Sequence, residues 1–537
     1  MTRWTMVADL ERCVGCQTCT AACRHANATA PAVQWRKVLD VEAGAYPHVS
    51  RTFVPVGCQH CADPPCMHVC PSTATRRRAD GIVTIDYDIC IGCAYCDVAC
   101  PYQARFKIDA PRLAYGSLAM DVEWEDARRV GVAQKCTFCS DRIDFGLANG
   151  LTPGLDPRAT PACVNACIAD ALHFGDLDDP DSNVSRLLRT QRHFRMHEEL
   201  GTAPGFYYLY GAADGVQQEE AAPPVSREPP SLRTRGVAPW HQQHWNWKAA
   251  GNFIGGGAGA GLFAIAAAAS LVGYPLFPLS LVALALVGLG LLCVLAKIGR
   301  PWRFIYVLRQ PRRSWMAREA WVACVFFPLG LVATWFDTRA LALAGALIAL
   351  GYLFSQAMIV QAAKGIPAWR TPRMVPLIIS TGIAEGSGYF VVAAALWPAL
   401  RGAATAAAIL ALVAAVVRAG VWQAYLAALA REGAPTRSLA ALDAFRLWFF
   451  AGGLAAPFGL IAAGFLFAAA APYLFALAGA ASIAAGAVLK FILVTRAGFN
   501  QGFAMTHTPV RGSGTAGPAV KPGWRAPSHA PAGWQLS

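Results

Sequence analysis

The sequence predicts two halves of different class: an α+β, cysteine-dense N-terminal domain, then an all-α polytopic membrane domain of about eight transmembrane helices. Three observations carry this expectation. Sixteen of the eighteen cysteines fall in four tetrads before residue 168. Most acidic residues precede residue 246, whereas residues 247 to about 494 are mostly Ala, Leu, Gly, Val, Ile and Phe. The mean hydropathy of +0.37 thus averages a polar half and an apolar half. The expected divisions are residues 1–210, a linker at 211–245, the membrane half at 246–497 and a C-terminal tail at 498–537.

The first tetrad is Cys13, Cys16, Cys19 and Cys23, and the second is Cys58, Cys61, Cys66 and Cys70 with Pro71 after it. The third is Cys90, Cys93, Cys96 and Cys100 followed by Pro101, the C-x2-C-x2-C-x3-C-P run of bacterial ferredoxins. The fourth is split into Cys136 and Cys139, then Cys163 and Cys167. A tight loop aims only three thiolates at one cubane, so the fourth cysteine of a tetrad serves a second cluster. Tetrads therefore work in pairs, and sixteen cysteines imply four 4Fe-4S clusters. Zinc ribbons and secreted disulfide scaffolds are the competing readings, but the three-residue gap before Pro has no zinc rationale, and such scaffolds are usually short chains. His25, His60 and His68 lie beside ligands and read as solvated or supporting groups. The apolar stretches Thr5–Ala8 and Ile82–Ile85 each run into a tetrad, as strands of a double-ferredoxin-like βαβ fold do. The basic run Arg76, Arg77 and Arg78 reads as a solvated loop or a docking surface.

Residues 4–175, from WTMVADLERCVGCQTCTAAC through CADPPCMHVCP and CIGCAYCDVACPY to CTFCSDR and PACVNAC, resemble the four-cluster subunit of dimethyl-sulfoxide-reductase-type molybdoenzymes. The resemblance implies one cluster on Cys13, Cys16, Cys19 and Cys167, and a second on Cys23, Cys136, Cys139 and Cys163. It implies a third on Cys58, Cys61, Cys66 and Cys100, and a fourth on Cys90, Cys93, Cys96 and Cys70. Some relatives lack one cysteine of the third tetrad; Cys96 is present here, so four cubanes are expected. Arg24 and Ile168 stand where Pro would follow the first and fourth tetrads, without touching ligation.

Residues 211–239, rich in Pro, Ala, Gly and charge, read as an extended linker. Eight apolar stretches follow, at approximately 250–272, 277–297, 316–336, 340–362, 374–397, 403–429, 447–469 and 473–494. Trp and His of WHQQHWNW suit an interface, and the abundant Gly and Ala suit close helix packing. The net charge of +13 invites a nucleic-acid reading. The Lys and Arg of this half sit instead between apolar segments, where they orient a membrane protein, so no nucleic-acid partner is expected. Lys297, Arg300, Arg303, Arg309, Arg312, Arg313 and Arg318 fill one connection; Lys364, Arg370 and Arg373 the next on that side; Arg431, Arg437 and Arg446 the third. The tail adds Arg496, Arg511, Lys521 and Arg525, against only Arg339 and Arg401 on the other face. Both termini and the cysteine domain are therefore expected in the cytoplasm of a multi-pass bacterial inner-membrane protein. The N-terminal MTRWTMVADLERC, with no apolar stretch or twin arginine, agrees.

No histidine lies between His244 and His507, so no haem is expected in the spans and a quinone, ubiquinone or menaquinone, becomes the expected carrier. The stretch LAKIGRPWRFIYVLRQPRRSWMAREAWVACVF, with VTRAGFNQGF containing Arg496, resembles the haem-free anchors of dimethyl-sulfoxide reductase and polysulfide-reductase-type complexes. That resemblance implies a menaquinol site matched by Arg303 and Glu319, with Lys297 where the family has a histidine. Glu385 and Arg418 lie mid-span, and intramembrane ionisable residues read as a packing ion pair or a proton path. Cys293 and Cys324 read as small core residues.

The chain shows no substrate pocket or molybdopterin motif, so no catalytic residues are expected on it. The function expected is electron transfer between a separate cytoplasmic molybdopterin subunit and the quinone pool. Sulfite or phenylacetyl-CoA oxidation is favoured, WNWKAAGNFIGGGAG resembling the anchor of the latter. The alternatives are a non-molybdenum proton-translocating respiratory complex, a dimethyl-sulfoxide or polysulfide-type reductase, and a membrane redox sensor.

Overall fold

The structure, a computed structural model, describes residues 2–30, 33–45, 48–110, 127–212, 237–510 and 519–525. It divides into two units: Met1–His241 with Lys364–Ile366 and Asn500–Ser537, and Gln242–Ala363 with Pro367–Phe499. Most of the expected linker, residues 213–236, and Arg511 lie outside the described residues.

The first unit is built on β1 (Trp4–Asp9), whose six residues are all buried. A strand covered on both faces reads as a near-continuous apolar run without alternation, here MVA between the buried polar residues Thr5 and Asp9. It pairs antiparallel with β8 (Leu172–Asp176), Ala8 opposite Leu172, and parallel with β10 (Phe206–Ala212), which β9 (Gln191–Phe194) flanks. Three hairpin-like pairs complete the unit: β2 (Arg36–Ala45) with β3 (His48–Gly57), β4 (Thr75–Arg77) with β5 (Val83–Ile85), and β6 (Phe106–Lys107) with β7 (Ala133–Gln134).

Two of these pairings explain why tetrads meet. β1 leads into the first tetrad and β8 leaves the fourth, so their ladder sets the two side by side. β5 leads into the third and β4 leaves the second, and Thr75 lies opposite Ile85. The same strand-in, strand-out arrangement occurs twice. Within the segment 498–537, Phe503 and Met505 are about 2 % exposed in the same core as Met6, Phe174 and Tyr208. Burying two large apolar side chains is favourable by roughly 1.5–3 kcal/mol each, enough to hold the segment in place.

The second unit is a helical bundle. Among the described residues, seven helices are long and apolar enough to cross a membrane: Trp247–Leu271, Trp315–Phe336, Arg339–Gln361, Met374–Leu396, Pro398–Glu432, Thr436–Leu466 and Ala471–Thr495. The eighth, Leu279–Leu295, has 17 residues, about 26 Å at 1.5 Å per residue. All eight overlap the expected spans, although the seventh begins at Thr436, well before the expected 447. Large apolar residues face outward, among them Trp335 at 85 % and Leu466 at 78 % exposure. Small residues line the contacts. A Cβ on Gly255 would stand 2.6 Å from the Leu286 carbonyl, and one on Gly259 2.5 Å from that of Ala283. The helix Thr436–Leu466 contains a π turn at Ala451–Ala455.

Candidate functional site: cysteine tetrads and buried charges

Each tetrad is wound by a residue in the left-handed region just before its second cysteine. Gly15 (φ 73°), His60 (φ 42°), Gly92 (φ 71°) and Phe138 (φ 56°) occupy this place in the four loops. Left-handed backbone curls a short loop tightly enough to turn successive side chains inward. Cys19 and Cys23 ride on the helix Thr18–Asn27, Cys66 on Pro65–His68, Cys96 on Tyr95–Ala99 and Cys163 on Ala162–Asn165.

No disulfide joins any of the eighteen cysteines. Of the sixteen in tetrads, Cys16 is exposed, Cys167 is half-buried and the rest are buried. Burial and neighbouring thiols raise several of them. Burial first, then the charges of Cys58, Cys66 and Cys100, push the Cys61 thiol well up. Cys96 is raised by burial and by Cys93, Cys90 and Cys70, with Arg105 opposing. Burial and then Cys136, Cys163 and Cys139 raise Cys23. Cys19 goes up to about 11 through burial, against Arg36, with Cys163, Cys13 and Cys167 contributing. Thiols crowded this way are poor thiolates by themselves and need a cationic partner to hold charge. The sixteen tetrad cysteines offer soft sulfur donors, which suits iron–sulfur cubanes.

Donors to sulfur reinforce the groups. The amides of Thr75 and Ala171 donate to Cys70 Sγ (3.5 Å) and Cys167 Sγ (3.2 Å), at matching places in the two repeats. Phe138 N–H donates to Cys136 Sγ at 3.4 Å. His60 is buried, its Nδ1 accepts from Val83 N–H at 3.1 Å, and its ring stacks on Phe138 with centroids 3.6 Å apart. Half-buried His68 pairs with Asp63. Of the basic run, Arg78 bonds Asp80 and Asp144, while Arg76 and Arg77 stay exposed on β4.

Three buried cations, absent from the sequence expectation, stand among the thiols: Arg36, Arg105 and Lys135, each about 1 % exposed. Arg105 Nη2 donates to Cys66 Sγ at 2.7 Å and its Nη1 to Thr75 Oγ1 at 3.2 Å. Lys135 Nζ donates to the carbonyls of Val83 and Cys136.

In the bundle, Glu319 is 5 % exposed and accepts from Asn252 Nδ2 at 3.1 Å, with Gln356 and Tyr352 also against its carboxyl. Gln356 Nε2 in turn donates to the Asn252 carbonyl at 2.9 Å. Lys297 places Nζ 4.6 Å from the Trp245 ring centroid. Arg303 lies half-buried in the short helix Pro301–Arg309. Arg496 is exposed at the end of the last helix. Cys293 packs against Gly251, where a Cβ would lie 3.0 Å from its sulfur. Cys324 is exposed, not a core residue, because its side of the helix Trp315–Phe336 faces outward.

The mid-span charges pair differently from the sequence expectation. Glu385 forms its ion pair with Lys490, both side chains essentially inaccessible. Arg418 donates to the carbonyls of Ser482 (2.9 Å) and Gly453 (2.8 Å), the latter inside the π turn. A guanidinium needs several acceptors, and the π turn frees a carbonyl that a regular helix would engage. The consecutive glycines serve separate neighbours. A Cβ on Gly256 would overlap Gln356 Nε2, and one on Gly257 would overlap Lys490 Nζ while standing 3.5 Å from Gln356 Oε1. The Glu319 and Glu385 groups thus adjoin across one helix.

Comparison with known proteins agrees with the thiol geometry. Residues 49–114 and 82–168 each match a 4Fe-4S dicluster domain. The selenate reductase B subunit of Mesobacillus selenatarsenatis is 40% identical over 221 residues, 38% of this chain and 72% of the relative. The iron-sulfur B subunit of a putative dimethyl sulfoxide reductase of Halobacterium salinarum is 42% identical over 39% of this chain and 80% of its own length. The sulfite dehydrogenase B subunit of Allochromatium vinosum is 36% identical over 39% of this chain and 83% of its own length. Through its cysteine-rich half, joined here to an apolar helical bundle of the membrane-anchor kind, the chain belongs to the family of electron-transferring iron–sulfur subunits of dimethyl-sulfoxide-, selenate- and tetrathionate-reductase-type oxidoreductases.

Proposed function

We propose that this chain is the electron conduit and quinone-reactive anchor of a molybdopterin-type oxidoreductase, two subunits of such a complex in one polypeptide. The observation that carries the reading is the joining, in one chain, of sixteen tetrad cysteines, fourteen of them buried, to an apolar bundle that buries a carboxyl at Glu319. One cluster takes Cys13, Cys16, Cys19 and Cys167, the next Cys23, Cys136, Cys139 and Cys163. A third takes Cys58, Cys61, Cys66 and Cys100, and the fourth Cys70, Cys90, Cys93 and Cys96. Bound cubanes supply one-electron storage along the domain. The catalytic partner meets the first group, whose Cys16 is exposed and which the outward Val14 (57 %) and Ile168 (74 %) flank. Exposed apolar residues beside a redox centre suit a protein partner.

In the bundle, Glu319 with Asn252, Gln356 and Tyr352 handles the quinone proton, and Lys297 and Arg303 contribute charge nearby in sequence. Lys490 and Glu385 continue the polar string past Gly257 and serve as a proton path. The basic connections and tail support a cysteine domain on the cytoplasmic side of a bacterial inner membrane. The partner there oxidises a cytosolic substrate, of the sulfite or phenylacetyl-CoA type. The likeness to the iron–sulfur chain of a sulfite dehydrogenase supports the former.

The test is purification of the tagged chain from its native membrane. A large co-purifying subunit carrying molybdenum, with substrate-dependent quinone reduction, is the expected result. A second reading is a proton-translocating quinone complex without molybdenum. It is favoured by relatives described as menaquinol oxidoreductase and menaquinone reductase iron–sulfur subunits. It predicts c-type haem subunits and no molybdenum in the same preparation.

A further inference from the structure

Burying a lone cation in a protein core costs several kcal/mol unless an anion compensates it. Among its described residues the first unit buries three, and the groups acting most strongly on them are cysteines. Arg36 is held by the charges of Cys163, Cys136, Cys19 and Cys23, against the penalty of burial. Its Nε and Nη1 find no hydrogen-bond partner. Its Nη2 reaches only the soft Met6 Sδ at 2.8 Å, and Phe206 covers it with its ring centroid 5.0 Å away. Arg105 faces Cys66, Cys96, Cys58 and Cys100 and bonds Cys66 Sγ directly. Lys135 faces Cys58, Cys136 and Cys66, and bonds the Cys136 carbonyl.

Sorted by thiol group, the three cations fall into a series. Arg36 touches the field of the Cys13 group through Cys19 and of the Cys23 group through Cys23, Cys136 and Cys163. Lys135 joins the Cys23 group, through Cys136, to the Cys58 group. Arg105 joins the Cys58 group to the Cys90 group, through Cys96. Resting on the cluster reading above, we propose that Arg36, Lys135 and Arg105 are built-in counter-cations, one at each of the three junctions of a four-cluster chain, which set the potentials of the clusters they separate.

The physical reason is charge balance. A cubane with four thiolates is an anion, and reduction adds another negative charge inside a poorly screened core. A fixed cation beside it stabilises the reduced form and raises its potential, as net charge and hydrogen bonds to sulfur do generally. A cation shared by two clusters raises both, so neighbouring stations stay within reach of each other and electrons do not stall at a junction. A guanidinium suits the outer two places because it never loses its proton.

The test uses the full chain purified with its complex and carrying Arg36→Gln, Lys135→Gln or Arg105→Gln singly. Iron and acid-labile sulfide report loading. EPR-monitored redox titration reports potentials, its signals assigned with the ligand variants Cys23→Ser and Cys100→Ser. Each neutral variant is expected to favour oxidation of its two flanking clusters by about tenfold, about 59 mV for a one-electron couple, with the remaining two far less affected. Arg36→Lys, Lys135→Arg and Arg105→Lys are expected to titrate close to wild type. Loaded neutral variants with unshifted potentials overturn the proposal. Where a neutral variant fails to load, a charge-retaining variant that titrates as wild type upholds the role of charge, and one shifted as far as tenfold refutes it. A wild-type complex without iron and sulfide refutes the cluster reading itself.

Discussion

At Gly92 the backbone holds φ 71° between Ile91 and Cys93, and the same left-handed turn recurs at Gly15, His60 and Phe138. Only glycine adopts it without strain, and a β-branched residue there costs about 1–3 kcal/mol. Gly92→Val is therefore expected to lower cluster occupancy of the third tetrad, read as lost iron per chain and a weakened EPR signal. The crossing of ligands between tetrads has a sharper test. Cys100→Ser should alter the cluster of Cys58, Cys61 and Cys66 while the one held by Cys90, Cys93 and Cys96 keeps its spectrum. A change confined to the latter would mean that each tetrad keeps its own cluster. Glu319 poses the corresponding question in the bundle. Replacing its carboxyl by an amide preserves shape and removes the titrating proton, so Glu319→Gln should abolish quinone turnover and leave the cluster EPR intact. Unchanged turnover would remove Glu319 from quinone chemistry.

Among the elements, strand pairing and helix packing do different work. The β1–β8 and β4–β5 ladders bring cysteines far apart in sequence into two paired sets, so ligand geometry depends on strand register. In the bundle, close approach depends on small residues. A Cβ on Gly386 would overlap the backbone at Gly261 and Leu262, where no side chain is available to yield. Gly386→Leu is expected to prevent the helices Trp247–Leu271 and Met374–Leu396 from docking, seen as loss of a monodisperse detergent peak. The Lys490–Glu385 pair holds the helices Met374–Leu396 and Ala471–Thr495 together. Lys490→Met leaves a buried carboxylate without its partner and should cost about 3–5 kcal/mol, measured by unfolding in detergent. The double variant with Glu385→Leu should recover most of that loss, since the desolvation penalty leaves with both charges.

For the molecule as a whole, the architecture combines a redox domain with an apolar bundle whose connections carry an uneven charge. Reporter fusions at the termini and after Arg401 should place the termini on one face and Arg401 on the other. Much of this was legible in the residues. The tetrad spacing announces iron–sulfur chemistry because short-range ligand geometry is local. The eight helices fall where the apolar stretches do, since the length of a span is set by bilayer thickness. Glu319 stood out as an ionisable residue near the end of a span. Lys490 lies within the last span, close in sequence to the basic tail, and spacing along the chain does not mark it as the partner of Glu385.

The sequence by itself determined the cofactor class, the two-part organisation and the number of helices. Each follows from patterns within a few residues or from the composition of a segment. Tertiary structure alone decided which distant groups meet. Lys490 instead of Arg418 takes Glu385, Gln356 and Asn252 surround Glu319, Phe503 and Met505 enter the core, and Arg36, Lys135 and Arg105 stand among the thiols. The reason is that a buried charge takes its partner from whatever packing brings beside it, and spacing along the chain does not encode that proximity.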